Sequence, residues 1–242
     1  MKTLDIAMTA ALRPEILRKT LVSLKQNIEF DGDLRLVIDV APVGDKRYLQ
    51  EDVVSVAQGI FDNDKVVHRI LDESLQADAV KWSWLSTQGD CFLQWEDDWV
   101  LKKKLVVSEL ENFMSTKKQV GMIYLDRGDK SVFTHPGYVD SFVREDLEFF
   151  KRIKGKSIGG PPALINKKYA KDIMQIVDGT VCLDILSNAP IAQFILNRWN
   201  TYVYVSNCCG CFVVDIGKAW MVQQKLKRVK RTDKGVLWVG AK

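Results

Sequence analysis

The fold is indicated most clearly by residues 89–98, which read Gly89-Asp90-Cys91-Phe92-Leu93-Gln94-Trp95-Glu96-Asp97-Asp98. A turn at Gly89-Asp90 leads into a short apolar run at 91–95, which is typical of a buried strand. Three consecutive carboxylates follow this run, with a tryptophan on either side. The stretch therefore predicts a strand that ends in an acidic cluster.

The sequence before this stretch alternates between short apolar runs and segments with apolar residues at helical spacing. The runs predicted as strands lie at 4–9, 34–40 and 66–70. The segments predicted as helices lie between them, at 14–28, 49–60 and 76–87. Pro14 suits the first turn of a helix, where its missing N–H costs nothing. This alternation predicts an α/β fold with a mostly parallel central sheet and helices on both faces.

The second half of the sequence is less regular, but it carries further elements. Strands are predicted at 120–125, 163–165 and 201–205, and helices at 168–177 and 191–198. We find neither an internal repeat nor a low-complexity linker, so one domain over residues 1–242 is the simplest interpretation.

The position of the acidic cluster suggests a binding site. Ligands of such sheets bind beyond the carboxyl ends of the parallel strands, which is where Glu96, Asp97 and Asp98 are expected to lie. Mg²⁺ and Mn²⁺ prefer oxygen ligands and bind through one or two carboxylates together with substrate phosphates. The alternative is a structural acidic loop that caps the following helix.

Composition excludes several classes of protein. The chain has 242 residues, of which 47% are hydrophobic, enough for a substantial core. It has no apolar run long enough to span a membrane, and its N-terminus does not resemble a signal peptide. The odd number of cysteines, five, argues against a disulfide framework and favours a reducing cytoplasm.

The net charge of +4 is mild, but the basic residues are clustered. The clusters lie at 102–104, 151–156 and 225–231, and the last of them contains Lys227, Arg228 and Lys230. Clusters of this kind are expected of a protein that binds a polyanion. A solvated, lysine-rich surface is the alternative interpretation.

Two stretches of the sequence resemble the GT-A-fold glycosyltransferases. The first runs from Thr9 to Leu24 and contains Arg13-Pro14, and the second is the strand at 91–95 that leads into an Asp-x-Asp-like motif. The resemblance implies a single GT-A (Rossmann-like) domain. Its nucleotide-sugar-binding half would be residues 1–100, and its acceptor-binding half residues 101–242, with a basic C-terminal tail.

The resemblance also assigns roles to individual residues. Thr9 and Arg13 would line the donor pocket, and Asp39 would meet the base or ribose of the nucleotide. Asp98 would bind Mn²⁺ or Mg²⁺, while Glu96 stands where the family usually has its first Asp. Asp97, between them, is assigned to the donor site.

The general base is less clearly indicated, because the family's later acidic pair at the start of a helix is not cleanly present. Asp184, in the segment before Pro190, is the nearest carboxylate and the first candidate. Asp215 is the rival candidate for the base, and it could instead face the metal or the phosphates. Transfer with inversion requires such a group to take the proton of the acceptor hydroxyl.

The size, the charge and the Asp-Ile-Gly-Lys-x-Trp region at 215–220 resemble compact bacteriophage enzymes that glycosylate hydroxymethylated pyrimidines in DNA. This resemblance implies a nucleoside-diphosphate sugar donor, a UDP-sugar in the first place, and duplex DNA as the acceptor in the host cytoplasm. Three alternatives remain: a glycosyltransferase for surface polysaccharide or lipid-linked glycan, a sugar nucleotidyltransferase, and a non-catalytic DNA-binding module. A nucleotidyltransferase would be expected to have glycines in the loop at 9–13, which has none.

Overall fold

The computed structural model describes residues 2–73, 75–127, 150–153, 158, 162–179, 183–205, 211–231 and 235–240. The first half contains β1 (Thr3–Leu12), α1 (Pro14–Asn27), β2 (Ile28–Glu29), β3 (Asp33–Gly44), α2 (Gln50–Phe61), β4 (Val66–Ile70), α3 (Gln76–Leu85), β5 (Cys91–Glu96), β6 (Trp99–Leu101), β7 (Leu105–Val106) and α4 (Val107–Thr116). The second half contains β8 (Val120–Leu125), β9 (Phe150–Ile153), β10 (Ala163–Asn166), α5 (Lys167–Met174), α6 (Leu183–Leu186), α7 (Pro190–Leu196), β11 (Asn200–Tyr204), β12 (Val213–Asp215), α8 (Gly217–Gln223), β13 (Leu226–Arg231) and β14 (Gly235–Gly240).

Eight of these strands form one sheet, in the order β4-β3-β1-β5-β10-β8-β11-β9. The strands β4, β3, β1 and β5 are parallel to one another, as the alternating sequence predicted. The strand β10 is antiparallel to both of its neighbours, which leaves β8 and β11 parallel to the first four. The mostly parallel central sheet of a GT-A-type α/β fold is confirmed.

Helices cover both faces of this sheet. Because successive residues of a strand point to opposite faces, each strand packs against helices on both sides. On one face, Ile6 and Met8 of β1 pack with Leu17 and Leu21 of α1 in the larger core cluster. On the other face, Ala7 and Phe92 pack with residues of α3 and α5. The strands are apolar on both faces for this reason, as buried parallel strands are.

The carboxylate of Asp5, which is fully buried in the middle of this sheet, is satisfied by an ion pair. Arg35 of the neighbouring strand β3 donates to both of its oxygens, at 2.6 and 2.8 Å, and the backbone N–H of Gln88 donates a third hydrogen bond. A buried charge is tolerated when it is paired and fully hydrogen-bonded in this way. The pair fixes the start of β5 relative to β1 and β3.

Some elements were not predicted from the sequence. The helix α4 and the antiparallel pairing of β6 with β12 are new, and the basic C-terminal segment forms the antiparallel hairpin β13–β14. The high charge of 225–231 indicated a basic tail, although 226–240 also contains β-branched residues, which favour strands. Within the part of the chain that the structure describes, we find no helix that is both long and apolar enough to cross a membrane.

Candidate functional site

The acidic cluster lies at the carboxyl end of β5, beside the equivalent ends of β1 and β3. The strand registers place Thr9 opposite both Asp39 and Glu96, and Asp39 in turn opposite Arg69. Residues at matching positions of parallel strands point to the same face of a sheet. Three of the predicted donor-site residues therefore form one row, on the face that α3 covers.

Asp97 is the most buried member of the cluster, with 2% of its surface exposed. Its Oδ2 accepts hydrogen bonds from the backbone N–H of Ala11 at 3.0 Å and from Nε of Arg13 at 2.7 Å, and its Oδ1 pairs with Nη2 of Arg13 at 2.5 Å. Its backbone oxygen accepts a hydrogen bond from the Thr20 hydroxyl at 2.7 Å. Both carboxylate oxygens of Asp97 are thus taken up by the corner between β1 and α1.

Asp98 has a different environment, because its side chain retains 17% exposure. Its Oδ2 lies 2.9 Å from Nη2 of Arg13, and its backbone oxygen accepts a hydrogen bond from the N–H of Ile216. Its Oδ1 is buried and has no hydrogen-bond partner among the described residues. The pKa of Asp98 is raised to about 6, chiefly by burial and also by the charges of Asp97 and Asp215, while the charge of Arg13 opposes the rise.

Arg13 links the two carboxylates. It follows the last residue of β1, it is 5% exposed, and its guanidinium lies 5.8 Å from the ring centroid of Trp220. Burial disfavours its charge, but Asp97 and Asp98 outweigh that cost, so the pKa of Arg13 is raised above its usual value. The guanidinium therefore remains a permanent positive charge inside the cluster.

The C-terminal segment 213–220 closes over Asp98. The strand β12 pairs with β6 so that Asp215 lies opposite Trp99, and the Oδ1 of Asp215 accepts hydrogen bonds from the N–H groups of Gly217 and Lys218. A Cβ atom at Gly217 would lie only 2.0 Å from Oδ2 of Asp98. The approach of this backbone to Asp98 thus requires glycine.

The remaining donor-site candidates are partly engaged with protein groups. Asp39 is buried and pairs with Nε of Arg69 at 2.5 Å, and Arg69 also pairs with Asp78 at 2.7 Å. Glu96 is half-buried and accepts a hydrogen bond from the Trp99 indole at 3.3 Å. Thr9, between them in the row, is also half-buried.

The other predicted site residues are only partly described. The backbone of Asp184 belongs to α6, and that of Lys227, Arg228 and Lys230 belongs to β13, but the side chains of all four lie outside the described part of the structure. Their roles remain predictions.

Sequence reasoning missed three residues that shape the site: Thr20, Gly217 and Trp220. The sequence marks 215–220 as a motif but does not indicate its contact with Asp98. A glycine directly after Asp215-Ile216 was the available signal, since glycine often marks a close approach of the backbone to another group.

The residues present fit a divalent cation only if a substrate supplies part of its coordination. Among the described residues, no group of three or more His, Cys, Asp or Glu side chains is close enough together to hold a metal ion. The unpartnered Oδ1 of Asp98 is the available ligand, and Asp215 is its nearby acidic neighbour. Mg²⁺ and Mn²⁺ commonly use one or two carboxylates together with substrate phosphates.

Comparison with known proteins supports the fold. No protein-family model matches the chain, and neither does any curated protein. Among solved structures, S. aureus TarS in complex with UDP-GlcNAc aligns with a TM-score of 0.57 at 10% identity, over 88% of this chain and 58% of that one. The mannosyltransferase PcManGT from Pyrobaculum calidifontis, in complex with GDP-Man and Mn²⁺, aligns with a TM-score of 0.56 at 13% identity, over 92% and 60%.

A third similar structure belongs to another class of enzyme. A putative glucose-1-phosphate thymidylyltransferase from Bacillus anthracis aligns with a TM-score of 0.56 at 14% identity, over 92% of this chain and 93% of that one. By contrast, the chain spans only 36% of one TarS structure and 60% of two others. At these identities the likeness establishes the shared fold, which glycosyltransferases and nucleotidyltransferases both use.

Replacing Gly217 by alanine should destabilise the protein. The added methyl group would overlap with Asp98 and approach Nη1 of Arg13 to 2.8 Å, and ion pairs hold both side chains in place. We expect a loss of about 1–3 kcal/mol in the free energy of unfolding, measured with urea. Gly59→Ala is the control: it lies in α2 with nothing within 4 Å of the new atom, so it should stabilise the protein by about 0.5–1 kcal/mol. Equal stability of the two variants would contradict the close contact.

Proposed function

We propose that the protein transfers a sugar from a nucleoside-diphosphate sugar to an acceptor hydroxyl, with Mn²⁺ or Mg²⁺ bound at Asp98. The observation that carries this proposal is the buried, unpartnered Oδ1 of Asp98 at the carboxyl ends of the parallel strands. In sheets of this type that edge is where nucleotides bind. An oxygen ligand without a protein partner at that edge is what a cation shared with a diphosphate needs.

The row formed by Thr9, Asp39 and Glu96 is the proposed contact surface for the nucleoside. Asp39 would accept a hydrogen bond from the base or ribose, and Glu96 would take the ribose contact that an Asp usually makes. The solved structures with this fold include complexes with UDP, UDP-GlcNAc and GDP-Man, and a UDP-sugar is our first choice of donor. Asp97 would act indirectly, by holding Arg13.

The bound cation would neutralise the charge of the diphosphate as it leaves the sugar. Asp98 would hold it through Oδ1, while the backbone hydrogen bond from Ile216 and the ion pair with Arg13 keep this side chain in one orientation. A ligand held in place by its neighbours loses little freedom when the substrate arrives.

The acceptor hydroxyl needs a group to take its proton, and Asp184 remains the first candidate. Asp215 is the second, and one of its oxygens is already engaged by the N–H groups of Gly217 and Lys218. Its electrostatic effect on the pKa of Asp98 favours a role beside the cation and phosphates. We therefore assign Asp184 as the base and Asp215 to the diphosphate side of the site.

A sugar nucleotidyltransferase is the second candidate, because the thymidylyltransferase with this fold matches nearly the whole length of both chains. Such enzymes bind a triphosphate with the backbone N–H groups of a loop. Here the N–H of Ala11, near the carboxyl end of β1, already donates to Asp97. This contact favours the glycosyltransferase.

A non-catalytic DNA-binding module is the third alternative. It would not account for the buried Oδ1 of Asp98, which has no hydrogen-bond partner among the described residues.

We propose duplex DNA with hydroxymethylated pyrimidines, as in bacteriophages, as the acceptor, in the host cytoplasm. The lysines at 102–104 carry this part of the proposal, since they follow β6 directly. At the rise of an extended chain, the backbone of Lys102 lies at most roughly 13 Å from that of Asp98, and the backbone of Lys104 at most roughly 20 Å. Lys102 and Lys104 are exposed, and the backbone of Lys102 is anchored to Phe212. A surface polysaccharide or lipid-linked glycan is the competing acceptor, and the last experiment of this section distinguishes it.

Transfer should require a divalent cation and Asp98. We expect radiolabel from one of a panel of nucleotide sugars to be transferred to an acceptor when Mn²⁺ or Mg²⁺ is present. This transfer should be lost in excess chelator and in the Asp98→Asn variant.

The same variant should not lose stability. Because burial raises the pKa of Asp98, its charged form destabilises the fold increasingly as the pH rises from about 4 to above 6. Neutral Asn should therefore unfold at pH 7 at no lower a urea concentration than the parent chain. Full transfer in chelator, or incorporation of nucleoside monophosphate instead of sugar, would refute the proposal.

The choice of base can be tested with two isosteric variants. Asp184→Asn should reduce kcat by roughly 10²–10⁴-fold, the usual contribution of a general base, with donor affinity nearly unchanged. Asp215→Asn should instead weaken binding of the donor or the cation. Near-normal turnover in Asp184→Asn, together with a collapse of kcat alone in Asp215→Asn, would transfer the role to Asp215.

If DNA is the acceptor, its binding should weaken steeply with salt, with a log–log slope of about −0.9 per neutralised phosphate. Charge reversal at Lys102 and Lys104, or at Lys227, Arg228 and Lys230, should raise the KM for DNA and leave donor hydrolysis unchanged. Charge reversal at Lys117 and Lys118 is the matched control. Both lysines are exposed and precede β8, at the amino ends of the parallel strands and so away from Asp98. Salt-independent binding, with transfer to glycan, would favour the polysaccharide acceptor.

A further inference from the structure

We infer that Arg13 is a positioning residue that acts as the built-in counter-ion of the acidic cluster, so that Asp98 Oδ1 is the one oxygen of Asp97 and Asp98 left to bind a cation. It follows that Mn²⁺ binds tightly here only together with a diphosphate. This inference rests on the proposed function for the identity of the diphosphate, but the role of Arg13 can be tested with the metal alone.

The first step is the allocation of the carboxylate oxygens. Arg13 and the Ala11 N–H take both oxygens of Asp97, and Nη2 of Arg13 takes Oδ2 of Asp98. The planar fork of a guanidinium suits this double engagement, which the point charge of a lysine cannot reproduce. Three of the four oxygens are therefore occupied by protein donors.

The second step is the rigidity of the arrangement. Trp220 lies over the guanidinium, and the backbone at Gly217 is so close to both side chains that a Cβ atom there would lie 2.0 Å from Oδ2 of Asp98 and 2.8 Å from Nη1 of Arg13. Asp98 is fixed at its backbone as well, by Ile216. Asp98 therefore cannot rotate to offer both oxygens to a cation without breaking its ion pair with Arg13.

The third step is the charge. Arg13 neutralises one of the two carboxylates that it contacts, so the pair presents a net charge of about −1 to an incoming cation. One anionic oxygen is a poor site for a divalent cation in water, whereas two phosphates add both ligands and charge. The nucleotide and the cation should therefore each raise the other's affinity by the same factor.

The experiment measures Mn²⁺ binding by electron paramagnetic resonance, with and without saturating UDP. For the unsubstituted protein, we expect Mn²⁺ alone to bind at least about tenfold more weakly than Mn²⁺ with UDP. In Arg13→Gln, loss of the positive charge frees the Asp98 carboxylate, so Mn²⁺ alone should bind at least about tenfold more tightly. Arg18→Lys, an exposed change in α1, should leave both affinities unaltered.

A second variant keeps the test decisive if Arg13→Gln does not fold. In Asp97→Asn, Arg13 loses its main partner and its charge acts more fully on Asp98, so Mn²⁺ should bind several-fold more weakly with or without UDP. Opposite effects of the two substitutions distinguish a counter-ion from a merely structural residue, whose loss would weaken binding in both. A folded Arg13→Gln with unchanged Mn²⁺ affinity, or an Asp97→Asn that binds Mn²⁺ as tightly as the parent, overturns the inference.

The same titrations separate this inference from the proposed function. If UDP and GDP fail to bind at all while Arg13→Gln still strengthens the binding of Mn²⁺ alone, the proposed donor is wrong and the role of Arg13 stands. If UDP binds and supports transfer but Mn²⁺ affinity is indifferent to Arg13 and Asp97, the proposed function stands and the role of Arg13 is wrong.

Discussion

The buried ion pair between Arg13 and Asp97 is the interaction on which the site depends. It joins the end of β1 to the residue just after β5, and the Ala11 N–H and the Thr20 hydroxyl complete its hydrogen bonds. Removing two such charges from water costs several kcal/mol per ion, so the pair persists because both oxygens of the Asp97 carboxylate accept hydrogen bonds in this geometry. Its position is therefore specific, and it determines where Asp98, Gly217 and Trp220 can lie.

The sequence was sufficient to predict the parallel core of the sheet and the edge at which Glu96, Asp97 and Asp98 lie. These features follow from local patterns: apolar runs, helical spacing and the rule that parallel strands share one carboxyl edge. The different environments of Asp97 and Asp98 could not be predicted, since they depend on the direction of the Arg13 side chain. The same holds for Asp39, whose pairing with Arg69 arises from the register between β3 and β4.

The contribution of β12 was hidden for another reason. It is a strand of three residues, and it lies next to β6 through a pairing between distant parts of the chain. Short strands carry little periodicity, and nothing in the residues around Asp215 indicates Trp99 as the partner. The motif at 215–220 can be recognised in the sequence, but its position beside Asp98 follows only from the tertiary structure.

The hydrogen bond between Ile216 and Asp98 also has a consequence for synthesis on the ribosome. More than a hundred residues separate its two ends, so forming it requires the closure of a long loop, which is entropically costly and kinetically late. Asp98 and the strands that carry Thr9, Asp39 and Glu96 leave the ribosome well before residues 213–220. The nascent chain therefore exposes an incomplete acidic edge during much of its translation, and the site closes only after the C-terminal segment has emerged.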